Sequence, residues 1–256
     1  MSAVLAKLFD RPAKPRDLVY AGNLQAGFAR DRRDVDAARQ LRRRLQVHDV
    51  DPAARADHLD AVEALCDHLL VRARDTGEVV GACRVLRPGR ARRAGGLRVE
   101  RAFDLSALAP LRDGMVELSE CCVDPAVRSG PVMMLMWSTL ARYLAGGGLR
   151  HAVGSVALPL ADGGHYAAGA WRAVARQHMA PQALRLLPRT PMALDALPPG
   201  ADPVLPPLVK GWLRAGGLLL GEPNVSRAGE HAEMPMLLDL ARMQAHPLRR
   251  LAMLVN

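Results

Sequence analysis

Residues 115–158 read MVELSECCVDPAVRSGPVMMLMWSTLARYLAGGGLRHAVGSVAL. Met115 to Val123 is a run of apolar and small side chains closed by Asp124-Pro125, the pattern of a strand and its stop. Pro131 to Ala145 is apolar nearly all round, as a buried helix is. Gly146-Gly147-Gly148 ends it, and His151 to Leu158 resumes as a strand. Upstream, Asp75-Thr76-Gly77-Glu78 lies between the strand-like Leu69–Arg74 and Val79–Leu86, which predicts a hairpin. The order strand, strand, strand, helix, strand predicts an α/β chain. Arg32 to Leu45 sets Val35, Ala38, Leu41 and Leu45 on one side and arginines on the other, an amphipathic helix with Asp31 as its N-cap. Residues 1–22, with Pro12 and Pro15, read as a loose arm. Beyond Pro159, Tyr166–His178 and Leu208–Ala215 read as helices around the proline-rich Pro181–Pro207. Met236–Leu240 is a strand or a helix start. We therefore expect one domain over 23–256, with a core over 23–160 and a helical elaboration over 161–256.

Composition narrows the function. Half of the 256 residues are hydrophobic and 24% are charged, which excludes a disordered or fibrous chain. The charge-free stretch Pro131–Ala141 is too short for a spanning helix, which needs about 20 apolar residues. Lys7, Asp10, Arg11 and Lys14 interrupt any signal-peptide core, so a cytoplasmic protein is expected. The net charge is +9, and nearly all the cations are arginine. Such a surface suits nucleic acid, an anionic membrane or an acidic protein. With aromatics at 4%, stacking platforms are scarce and nucleic acid is disfavoured. Arg84 to Arg101 holds seven arginines against the single acid Glu100, so this stretch must be solvated or paired. The four cysteines show no framework or C-x-x-C spacing and read as reduced, buried thiols. The histidines lack metal-binding spacing, and no metal is expected.

Several runs, taken in order, are similar to one family. They are Cys66-Asp67-His68-Leu69-Leu70-Val71, Gly81 to Leu86 with Arg84 inside it, Phe103-Asp104-Leu105, Glu117-Leu118-Ser119 with Cys122-Val123, and Pro206-Pro207-Leu208-Val209-Lys210-Gly211-Trp212-Leu213-Arg214. Together they resemble the bacterial L-ornithine Nα-acyltransferases, in the acyl-transferring branch of the GNAT-like superfamily. The acyl-homoserine-lactone synthases are more distant. The resemblance runs from Gly22 to Leu238. It implies an α/β, GNAT-like fold with a mixed central sheet, flanking helices and a helical C-terminal elaboration. It also implies transfer of a 3-hydroxy fatty acyl group from acyl carrier protein to the α-amine of L-ornithine, the first step of ornithine lipid biosynthesis. No bound cofactor is implied, because the phosphopantetheine thioester is the donor substrate. The partners are then the acidic carrier, a small amino acid and peripheral membrane. An acidic carrier gives the arginine surface a steering role. Two other readings stay open: acyl-homoserine-lactone synthesis, and a non-catalytic member that binds carrier protein or membrane.

The resemblance also implies a site. Amide formation needs a proton acceptor and donors for the oxyanion. Glu117 matches the family's glutamate in an apolar strand, where burial raises a carboxyl pKa; a glutamate at an exposed strand edge is the competing reading. Strict alternation puts Glu120 on the face opposite Glu117, whereas a bulge, common in relatives here, would bring both to one side. The family has arginine at the Glu120 position, so this charge is reversed. Arg84 grips an acceptor carboxylate or pairs with acidic neighbours. Asp60, Glu63 and Asp67 position the acceptor amine, brace the N-terminal region or form a solvated acidic face. Lys210 and Arg214, four apart, meet carrier phosphate or acceptor carboxylate, or cap a helix. Glu233 stands at a family aspartate whose neighbours are replaced by Gly229, His231 and Ala232. Arg42, Arg44 and Arg128 are the expected carrier or phosphate contacts. Arg128-Ser129-Gly130-Pro131 has one glycine where coenzyme A users have a glycine-rich cradle, which fits a carrier-borne donor.

Overall fold

The computed structural model describes residues 18–45, 62–127, 129–200 and 203–245. In chain order the strands are β1 (Val19–Ala21), β2 (Leu24–Phe28), β3 (Asp67–Ala73), β4 (Val79–Leu86), β5 (Phe103–Asp104), β6 (Met115–Val123), β7 (His151–Pro159), β8 (Leu187–Pro188), β9 (Leu218–Leu219), β10 (Asn224–Val225) and β11 (His231–Asp239). The helices are α1 (Arg32–Arg44), α2 (Pro88–Ala91), α3 (Ser129–Gly146), α4 (His165–His178), α5 (Pro207–Arg214) and α6 (Leu240–Ala245). The main sheet runs β1-β2-β3-β4-β6-β7-β11-β10, with β9 also on β11. Its pairs are antiparallel except β6 with β7, which α3 connects as a crossover between parallel strands must. β5 and β8 form a separate ribbon.

Local chemistry accounts for the elements that frame the site. Asp31 caps α1 by accepting the Asp34 N–H at 3.0 Å. The β3–β4 turn places Gly77 at φ +74, a conformation glycine adopts without cost. β4 is buried along its whole length, covered on both faces. On one face α3 packs Val132, Leu135 and Met136 with Val85, Val116 and Leu118 of the sheet. On the other face, α1 meets Leu70, Ala82 and Cys122. The arginine-rich segment covers the same side further along, where Leu97 and Val99 pack with Leu86 and Val153.

Two irregularities shape the centre of the sheet. β6 and β7 are nine residues each, yet they pair only over Met115–Glu117 with His151–Val153. At the point of parting, a Cβ on Gly154 would lie 2.7 Å from the Leu118 carbonyl and 3.2 Å from the Trp212 ring, so glycine there admits both neighbours. The second irregularity lies between β4 and β6. Ala82 faces Cys122 and Arg84 faces Ser119, leaving Cys83 opposite two residues, Glu120 and Cys121. This is a β-bulge, and Glu120 carries it at φ +48.

Three sequence expectations change. Residues 18–22, assigned to a loose arm, include the edge strand β1, because Val19 is buried against the sheet. The segment after Pro159 is not only helical: its nine-residue β11 pairs with all of β7, settling Met236–Leu240 as strand end and helix start together. Cys83 and Cys121 are joined as a disulfide across the bulge instead of being reduced, a proximity set by strand register and invisible in a 38-residue spacing. Cys66 and Cys122 are free and buried, and burial raises both thiols, to about 12 and about 11. Among the described residues no helix is long and apolar enough to cross a membrane.

Candidate active site

A cleft of about 260 Å³ opens on the α1 side of the sheet. Its floor is Arg84 and Leu86 of β4 with Glu117, Ser119 and Glu120 of β6, and residues 94–98, 100 and 101 of the arginine-rich segment form a wall. The bulge is what unites the two glutamates. Simple alternation would send Glu120 to the α3 face, and the extra residue returns it to the side of Glu117.

Glu117 is buried, with 3% exposure. Its Oε2 accepts the Arg98 N–H at 2.9 Å and its Oε1 accepts the Val99 N–H at 2.7 Å. Burial raises its pKa and outweighs these hydrogen bonds and the Arg98 charge, which favour the ionised form. The carboxylate therefore also pins the start of the 3₁₀ turn Arg98–Arg101 against the sheet.

Beside it lies a buried ionic cluster. Arg84 donates from Nη1 to Glu63 at 3.0 Å and from Nη2 to Glu120. Arg42, from α1, donates to the other Glu63 oxygen at 2.7 Å, and its Nε lies 3.5 Å from Glu120. His68 Nε2 donates to the Glu63 carbonyl at 3.1 Å, so Nδ1 is the acceptor facing Arg42 Nη2 at 3.3 Å. Burial and then Arg42 lower the His68 pKa, in keeping with this neutral tautomer. Burial pushes Glu63 up, but Arg42 and Arg84 outweigh it and hold the carboxyl below its ordinary value. Two arginines against two glutamates leave the cluster neutral, as burial demands.

The structure sorts the expected site residues. Arg84, Glu117 and Glu120 share the cleft, with Glu63 behind Arg84. Both terminal nitrogens of Arg84 are committed to carboxylates, so it pairs with acidic neighbours. Arg42, expected at a carrier or phosphate contact, is 5% exposed inside the cluster because Glu63 and Glu120 draw it inward. Arg44 stays on the surface, paired with Asp124. Asp67 points away from the cleft: it accepts from Tyr143 Oη at 2.5 Å and Arg90 at 2.9 Å, bracing α3 and the arginine-rich segment against β3. Lys210 and Arg214 sit on α5, which packs on α3 through Trp212 and Trp137, and neither lines the cleft. Glu233 is also outside it, accepting from Ser155 Oγ at 2.8 Å. Asp60 and Arg128 lie outside the described residues. Sequence reasoning missed Ser119 and the Gly95-Gly96 wall. It singled out Arg98 and Arg101 only as part of a charge run, and their seven-to-one excess over acids was the available signal.

Comparison with known proteins agrees with this architecture. The acetyltransferase (GNAT) domain matches residues 39–138. An L-ornithine N(alpha)-acyltransferase from Rhodobacter capsulatus is 29% identical, over 84% of this chain and 90% of its own. The Rhizobium meliloti enzyme of the same name is 29% identical, over 88% and 83%. Among solved structures, an N-acyl amino acid synthase from uncultured soil microbes superimposes with a TM-score of 0.53 at 13% identity, covering 91% of this chain and 98% of its own. The chain thus has a GNAT-like fold, matches the acetyltransferase (GNAT) domain over residues 39–138 and is similar to L-ornithine Nα-acyltransferases along most of its length.

Proposed function

We propose that the protein transfers a fatty acyl group from the phosphopantetheine thioester of acyl carrier protein to the α-amine of L-ornithine. The observation that carries this reading is the joining, in one cleft, of Glu117, Ser119 and Glu120 on a strand that parts from its parallel neighbour directly after Glu117. Past that point the β7-facing backbone of β6 has no ladder partner and is free to donate to a thioester oxygen.

In this reaction the neutral amine attacks the carbonyl carbon, the C–N bond forms and the C–S bond breaks. The pantetheine thiolate leaves and takes up a proton, and the amine sheds one. Glu117 is the assigned acceptor of that proton through water. Burial raises its pKa, which makes the ionised carboxylate a stronger proton acceptor than an exposed glutamate. Arg84 is a positioning residue: it holds Glu120 at the floor and has no free terminal nitrogen for substrate. The arginine surface guides the acidic carrier, with the exposed Arg92 and Arg93 beside the cleft wall.

The test is to incubate purified protein with L-ornithine and either 3-hydroxyacyl carrier protein or the matching coenzyme A thioester, and to weigh products by mass spectrometry. The N-acyl amide is expected from the carrier-bound donor, with a rate that falls as salt rises. Amide from coenzyme A alone would overturn the donor assignment, and no amide from either donor would overturn the activity.

A further inference from the structure

The charged lining of the cleft bears on which amines it admits, an inference that rests on the acyl-transfer reading above. Three carboxylates line the cleft: Glu100, Glu117 and Glu120. Glu117 spends one oxygen on each of two backbone N–H groups. Glu100 accepts the Leu97 N–H at 2.8 Å and pairs with Arg112. Glu120 is held differently. Among the described residues it is the non-glycine position with positive φ, and its side chain is turned onto the cleft floor by an inserted residue. It keeps 13% exposure while its arginine partners, at 5% and 3%, are buried behind it. An ionised carboxylate offers about four lone-pair sites. Arg84 and Arg42 approach two of them.

We propose that Glu120 selects acceptors bearing a second, cationic amine. Its remaining lone pairs receive the side-chain ammonium, and Arg98 and Arg101 on the facing wall supply the positive field for the acceptor carboxylate. Charge balance supports this pairing. The cluster around Glu120 is neutral, and a dibasic amino acid with a neutral α-amine is also neutral, one ammonium against one carboxylate. An apolar side chain laid against Glu120 would instead strip water from the carboxylate and replace it with nothing, which is how a polar site rejects an isostere.

The experiment compares kcat/KM for L-ornithine, L-lysine and L-2,4-diaminobutyrate with that for L-norvaline and L-alanine, using one acyl donor, in the native protein and in Glu120→Gln. The native protein is expected to favour dibasic acceptors over norvaline by about 100-fold or more. In Glu120→Gln that preference is expected to fall about 10- to 100-fold, the scale of one charge-assisted hydrogen bond. Native protein that uses norvaline as well as ornithine would overturn the proposal, and so would a Glu120→Gln protein with an unchanged ratio. Should Glu120→Gln fail to fold, Glu120→Asp, which keeps the charge and shortens its reach, is measured in its place, and an acceptor profile identical to the native one in that variant would overturn the role of Glu120. Absence of amide from every acceptor would remove the acyl-transfer reading itself, a different failure from amide formed without preference.

Discussion

The two faces of the central strands are built on opposite principles. Toward α3, Cys83, Val85, Val116 and Leu118 pack with apolar helix side chains. Toward α1 and the arginine-rich segment, the same strands present Arg84 and Glu117, joined by Arg42, Glu63 and Glu120. On the apolar face, free energy follows buried area and each contact is replaceable by another of similar shape. On the ionic face, each group is tolerable only because its partner is present, so loss of one strands the next. The first face holds the sheet together, while the second fixes where a carboxylate stands.

Substitutions on each face separate these roles. Glu117→Gln keeps the shape of the side chain and removes the base. Its kcat for amide formation is expected to fall about 100- to 10,000-fold, with a lowered thermal midpoint as well, since an amide has one accepting oxygen and leaves either the Arg98 or the Val99 N–H without an acceptor. Arg84→Ala leaves Glu63 and Glu120 short of a partner and should cost about 3–5 kcal/mol in urea unfolding. Leu140→Ala, buried on the α3 face, should cost about 2–5 kcal/mol with kcat retained wherever the protein is folded. If Leu140→Ala abolished turnover in folded protein, the division of labour between the faces would fail.

Smaller effects follow from pH. His68 has a folded pKa below its unfolded value of 6.5, so its contribution to stability is full above 6.5 and is lost as pH falls toward the folded value. Glu63, also lowered, adds a further loss as pH drops below 4.5. Stability measured by urea unfolding should therefore decline from pH 7 downward, and His68→Gln should flatten the upper part of that decline while leaving the lower part. The smallest effect is expected at Lys210→Ala and Arg214→Ala, within about 0.5 kcal/mol, since neither belongs to the ionic cluster. A loss of several kcal/mol in either would place α5 charge in the fold's energetics.

Much of the apolar face was legible in the sequence. Pro131–Ala145 announced α3, and Asp75–Glu78 announced the β3–β4 turn, because hydrophobic period and turn chemistry are local properties. The ionic face was legible only by residue. Arg84 and Glu117 stood out as charges inside apolar strands, but Arg84 finds Glu63 and Glu120, 21 and 36 positions away, and Glu117 finds the Arg98 and Val99 N–H groups, 19 and 18 away. Strict alternation misplaces Glu120 because one inserted residue reverses every later side chain. Arg42 reads as a surface cation on α1, and only the fold shows that it faces a buried carboxylate. Asp67 carried the right acidity and the wrong address, since Tyr143 and Arg90 claim it. The disulfide and the parting of β6 from β7 are facts of register, which no local signal encodes.

The most direct test is a crystal structure of the protein with its N-acyl-ornithine product. The ionic face predicts the amino-acid head group in the cleft, with the amide beside Glu117 and the side-chain ammonium against Glu120. A head group bound elsewhere, with Glu117 and Glu120 touching no part of the product, would contradict it.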